Sequence, residues 1–115
     1  MYLHEWAHDN EAESRAAMLT DFAITERALD GATILLASYS HESYSGDAYV
    51  LLERDGVLYE VHGSHCSCYG LEDQWEPEQT SRAALRSRLE KGDLYAYAVA
   101  TYANELHTIL DTLPS

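Results

Sequence analysis

Apolar positions along this chain follow two different periods, and the change from one to the other marks its organisation. Between Asn10 and Gly31, Ala16, Leu19, Phe22 and Ala23 recur on one face of a helix, with acids opposite. Asn10 and Glu13 have the spacing of a capping box, in which each side chain satisfies a free amide at a helix start. Leu29-Asp30-Gly31 supplies the stop, because glycine accepts the left-handed conformation past a helix end. Thr20-Asp21 is where this stretch would divide into two shorter helices. Residues 33–39, Thr-Ile-Leu-Leu-Ala-Ser-Tyr, then read as a first strand. His41–Gly46 is polar and turn-forming. Ala48–Arg54 and Val57–His62 then flank Asp55-Gly56, a strong hairpin signal because both residues tolerate positive φ.

A two-residue turn there pairs Leu52 with Tyr59, Val50 with Val61 and Arg54 with Val57. That face is apolar and is expected to meet the helices. The other face pairs Glu53 with Leu58, Leu51 with Glu60 and Tyr49 with His62, and this mixed, acidic set is expected to be wet. Gly63–Pro77 has no clear period and reads as a long loop, which in a compact domain has a function or a structural staple. Thr80 or Ser81 caps a helix ending at Lys91-Gly92. Asp93 caps another, with Tyr95, Val99, Tyr102, Leu106, Ile109 or Leu110, and Leu113 along one stripe. The pattern predicts an α+β fold: a three-stranded antiparallel sheet, with its hairpin at Asp55-Gly56, packed against an N-terminal helix and two C-terminal helices.

The 115 residues suffice for one core and are too few for two, so residues 1–115 are expected to form a single domain, with 1–9 loosely held. A composition 46% hydrophobic and 23% charged is that of a globular chain. Residues 1–15 show neither a basic start nor an apolar run, and no apolar stretch approaches a membrane span. A cytoplasmic protein of a host cell is the resulting expectation. Cys66 and Cys68, one residue apart, would close only a strained ring, which argues against a disulfide.

Charge changes the picture most. Residues 1–31 hold seven acids against Arg15 and Arg27, residues 32–81 nine against Arg54, and residues 82–115 four against Arg82, Arg86, Arg88 and Lys91. The segments carry −5, −8 and 0, so the whole net charge of −13 lies before residue 82. Such a field repels nucleic acid and anionic membranes and speeds encounter with basic surfaces. The Arg82–Lys91 cluster reads as a solvated helix face rather than a nucleic-acid footprint.

Two segments carry metal-ligand chemistry. His62, His65, Cys66 and Cys68 place four zinc-type donors within seven residues, and glycine nearby would let them converge. The spacing is tighter than a usual zinc pair, and His41 or an acid from 72–78 would have to complete the set. Small buried cysteines with loop-capping histidines, or a thiol with His65 as its base, are the other readings. No cofactor is expected on balance, with zinc kept as the alternative. His4-Glu5-Trp6-Ala7-His8 matches the zinc-protease pattern His-Glu-x-x-His. That chemistry needs the pattern on a buried helix with a third ligand; here a helix cap follows at Asp9 or Asn10. The match is read as chance, and no enzyme activity is expected.

Leu71–Glu78 combines Trp75 with Glu72, Asp73, Glu76 and Glu78. Trp75 either pins the loop to the core or anchors an acidic contact surface, since tryptophan is enriched at interface hot spots. The run Tyr59–Glu78, containing His-Gly-Ser-His-Cys-Ser-Cys-Tyr-Gly-Leu-Glu-Asp-Gln-Trp-Glu-Pro-Glu, resembles a segment of small phage and prophage proteins of unassigned activity. That resemblance implies phage or mobile-element origin and assigns no catalytic residue. Charge and resemblance together give the functional expectation. It is a non-catalytic acidic protein of phage type that occupies a basic, nucleic-acid-binding surface of a host protein complex, as an anti-CRISPR-like inhibitor would. Glu53, Glu60, Glu72, Asp73, Trp75, Glu76 and Glu78 are its expected partner-binding residues, with Tyr44 and Tyr69 as further apolar anchors. A phage structural protein, dimerising through a sheet face bearing Tyr49, Leu51 and Leu58, and a small zinc protein are the alternatives.

Overall fold

A computed structural model of the chain describes residues 1–42, 45–65, 70–91 and 102–112. The α+β class stands, and the sheet is larger than the three expected strands. Among the described residues it has five: β1 (Tyr2–His4), β2 (Ala32–Glu42), β3 (Ser45–Arg54), β4 (Val57–His65) and β5 (Glu78–Thr80), in that spatial order. The long central strands are antiparallel, and β1 runs parallel to β2, so the sheet is mixed. Every cross-strand pair expected from the Asp55-Gly56 turn is present, from Arg54 opposite Val57 to Tyr49 opposite His62. Asp55 and Gly56 both take positive φ, 54° and 79°, as that turn demands. The two added strands have three residues each, too short to show a period, and both lie at sheet edges.

Helix α1 (Glu11–Phe22) begins where expected, with the Asn10 side chain accepting from the Glu13 amide at 2.8 Å. It ends earlier than Gly31. Ala23 adopts φ 58°, and the Ile24 amide turns back to the Leu19 carbonyl at 3.0 Å. A 3₁₀ turn over Glu26–Leu29 follows and returns Leu29 to the core under α1. Arg54 holds this turn to the hairpin end, donating to the carbonyls of Asp30 and Ala28 at 3.2 and 3.1 Å. At the other end of the chain lie α2 (Arg82–Lys91) and α3 (Ala103–Thr112). The expected start of the last helix at Asp93 lies outside the described residues.

Strand alternation divides the buried residues into two cores, one on each side of the sheet. On one side Ala48, Val50, Leu52 and Val61 meet Trp6, Met18, Phe22 and Leu71, under α1. On the other, Leu36, Tyr49 and Leu51 meet Leu85 from α2, Leu106, Ile109 and Leu110 from α3, and Tyr102 just before it. The face expected to be wet is therefore covered, and the fold is a three-layer α/β/α arrangement. A hydrophobic stripe on α3 needs an apolar surface to bury, and the central part of this face supplies it.

The first residues are part of this core despite their polarity. Trp6 is fully buried between Phe22 and Tyr39, and its indole N–H donates to Asp21 at 2.7 Å. Of the expected loop Gly63–Pro77, Gly63–His65 continue β4, residues 66–69 lie outside the described residues, and residues 70–77 carry a structural staple. The Gln74 amide side chain accepts from the Ser64 N–H at 2.8 Å and donates to the carbonyls of Ser64 and Gly70, both at 2.7 Å. A side chain thus takes the place of a neighbouring strand on the β4 edge. Gly63 permits this close approach, since a Cβ there would lie 3.1 Å from Leu71 Cδ2.

Candidate functional site

The expected acidic surface has to be assembled from where the folded chain puts its carboxylates, and the expected residues do not gather on one patch. Glu53 and Glu60 share a sheet face with Leu51, on the side of α2 and α3. Glu72 and Asp73 follow Leu71, which belongs to the core under α1. Asp73 takes φ 66° within this turn. Trp75 is half-buried and meets Phe22 edge-on at 5.1 Å, so it pins the loop to α1. Glu76 and Glu78 are exposed, and Glu78 stands opposite Glu60 on β5.

Glu60 overturns the expectation most directly. It is 5% exposed and is not available on an open face. Arg88 of α2 forks onto its carboxylate at 2.8 and 3.0 Å, the Tyr49 hydroxyl donates at 3.0 Å, and His62 Nε2 lies 3.3 Å away. Burial pushes the Glu60 carboxyl up, but hydrogen bonds from His62 and Arg88 and the charge of Arg88 outweigh it and hold the group at about 2. Burial, then the Glu60 charge, raise the Tyr49 hydroxyl well above its ordinary value. Tyr102 stacks on Tyr49 at 4.4 Å, and burial raises its hydroxyl too. Arg88 is accordingly no solvated charge; Leu85, Arg88 and Leu89 share one face of α2, and that spacing is the signal in the sequence for its inward role.

The same burial removes the dimer surface expected at Tyr49, Leu51 and Leu58. Tyr49 and Leu51 are buried by the chain's own helices, and Leu58 is half-buried beside them. Of the zinc candidates, Cys66 and Cys68 lie outside the described residues, as does the side chain of His65, while His62 is engaged with Glu60. Tyr44 and Tyr69 lie outside them as well. No group of metal-binding side chains is assembled among the described residues. His4 ends β1 with φ 58° and the chain turns through Ala7, so His4 and His8 are not displayed one helical turn apart.

Segregation of charge between the two helical layers is the feature the one-dimensional reading only half showed. Helix α1, from the −5 segment, covers one face of the sheet, and α2 and α3, from the neutral segment, cover the other. On the α1 side Glu5, Asp9, Glu11, Glu13, Asp21 and Asp30 are all exposed. The Tyr39 hydroxyl is influenced by two of these acids and by Glu72 of the loop. Burial raises its pKa first, and then the charges of Asp21, Glu5 and Glu72, from three separate segments, raise it further. Two basic residues on this side have structural engagements: Arg15 forks onto Glu26 at 2.8 and 2.9 Å, and Arg54 is held by backbone carbonyls, while Arg27 is exposed. Arg86 pairs with Asp111 at 2.7 Å on the opposite layer.

Comparison of the chain with protein-family models, with curated proteins and with solved structures finds no match. Among the described residues, no helix is long and apolar enough to cross a membrane.

Proposed function

We propose that this is a non-catalytic acidic binding protein of phage type whose α1 side and adjoining loop occupy a basic, nucleic-acid-binding surface of a host protein complex. The observation that carries this reading is the exposure of Glu5, Asp9, Glu11, Glu13 and Asp21 on one layer, where the Glu5 amide donates to the Tyr39 carbonyl and Asp21 holds the Trp6 indole packed on the Tyr39 ring. Carboxylates on a fixed scaffold with few opposing cations present a field to a basic partner at low reorganisation cost, and such a field raises the association rate. Glu60 has no part in this surface, and Glu53 and Glu78 belong to the other side of the sheet. Trp75 serves the surface indirectly, by fixing the loop that bears Glu72 and Asp73.

The test is affinity capture from a bacterial host with two baits, the native protein and a variant carrying Glu5→Gln, Glu11→Gln, Glu13→Gln and Asp73→Asn. The expected result is a complex retained by the native bait alone, whose binding to nucleic acid is blocked when the protein is added. A captured complex that binds nucleic acid equally well with and without the protein would contradict the proposal, and so would equal capture by both baits.

A further inference from the structure

The two helices that close the second face of the sheet are held by different kinds of contact. Helix α3, with Tyr102 at its start, brings four buried side chains, Tyr102, Leu106, Ile109 and Leu110. Among the described residues, α2 brings Leu85 fully buried and Leu89 partly so. Ionic contacts join it to this layer as well, Arg88 to Glu60 and Arg86 to Asp111. The receiving site for Arg88 belongs to the sheet. Glu60 and His62 lie on β4 and Tyr49 on β3, so the Tyr49 hydroxyl that donates to the carboxylate comes from the sheet and not from α2. The Arg88 side chain is 28% exposed, while the carboxylate it grips is nearly buried.

We propose that α2 is a strap that opens as a unit ahead of the sheet, and that the Glu60 carboxylate beneath it is a guanidinium-binding site filled in cis by Arg88. An element with little buried apolar surface belongs to the low end of local opening free energies. A carboxylate accepting two parallel N–H bonds suits the planar guanidinium fork, which an ammonium cannot reproduce. With α2 lifted, a sheet-held carboxylate stands ready for an arginine side chain from another molecule. This inference does not depend on the partner proposed for the α1 side, because the site lies on the opposite face.

Amide hydrogen exchange on the native protein, Arg88→Ala and Arg88→Ala/Glu60→Gln tests it, with ethylguanidinium as probe and ethylammonium as control. In the native protein, amides of residues 82–91 should exchange at least about tenfold faster than those of β3 and β4. Arg88→Ala should speed α2 further and leave the strands protected. Ethylguanidinium should bind Arg88→Ala and not the double variant, and ethylammonium should bind neither. Strands and α2 exchanging together in the native protein would overturn the strap, and equal binding of ethylguanidinium to both variants would overturn the site. Should Arg88→Ala not fold alone, recovery of strand protection with ethylguanidinium and not with ethylammonium decides for the proposal, and failure to recover decides against it.

Discussion

Replacing Arg88 by methionine keeps most of the side chain's length and apolar stem but removes both bonds to Glu60. The carboxylate then stays buried with only Tyr49 and His62 as partners. Removing one member of a buried pair costs about 3–5 kcal/mol, because the charge left behind is uncompensated. Holding a carboxyl at about 2 instead of its ordinary 4.5 corresponds to about 3 kcal/mol. Arg88 supplies two of the contacts that do so, and it is partly exposed, which softens the loss. The expected destabilisation is therefore about 2–3 kcal/mol at pH 7. Because the folded carboxyl is depressed below its unfolded value, its contribution is present above pH 4.5 and is lost as pH falls through about 2. The penalty of Arg88→Met should shrink over that window. Urea unfolding followed by circular dichroism at pH 7 and at pH 3 measures it, with Arg88→Met/Glu60→Leu as the companion variant. The companion should recover part of the loss, since it removes the uncompensated charge but leaves the buried Tyr49 hydroxyl without its acceptor. A single variant within about 0.5 kcal/mol of the native protein, or a double variant no better than the single, would refute the reasoning.

Other elements give smaller, separable effects. Asn10→Ala removes the cap on α1 and should lower stability by about 1 kcal/mol in urea unfolding, with Asn10→Asp close to neutral. Asp21→Ala leaves the indole N–H of fully buried Trp6 without its acceptor and should cost about 1–3 kcal/mol, read in the same assay. Gln74→Ala deletes the side-chain bridge to Ser64 and Gly70; faster amide exchange at Ser64 and earlier proteolysis within 70–77 are expected, with the α3 side unchanged.

The central hairpin was legible in the sequence because turn chemistry and two-residue alternation both demand the same register, and Asp55-Gly56 admits few others. The cap at Asn10 was legible for a similar reason, being a local hydrogen bond. What alternation could not say is which face lies open. Leu51 beside Glu60 and Tyr49 beside His62 look half-wet on paper, and only the arrival of α2 and α3 makes them interior. Glu60 was misjudged for that reason: a strand carboxylate reads as solvent-facing until its arginine, 28 residues onward, is placed. Strands β1 and β5 are too short to register a period and depend on pairing partners far away in sequence. The charge imbalance could be counted in advance. Its division between two layers depended on which face each terminal segment covers.

The proposed role of the α1 layer is to attract a basic partner. Affinity for protamine, taken as a basic polypeptide probe, should be measured across ionic strength for the native protein and two variants. One neutralises Glu5, Glu11, Glu13 and Asp73; the other neutralises Asp47, Glu78, Glu90 and Glu105, away from that layer. The account predicts a clearly shallower dependence on salt for the first variant and a near-native one for the second. Equal loss in both would show attraction by net charge alone and contradict a dedicated face.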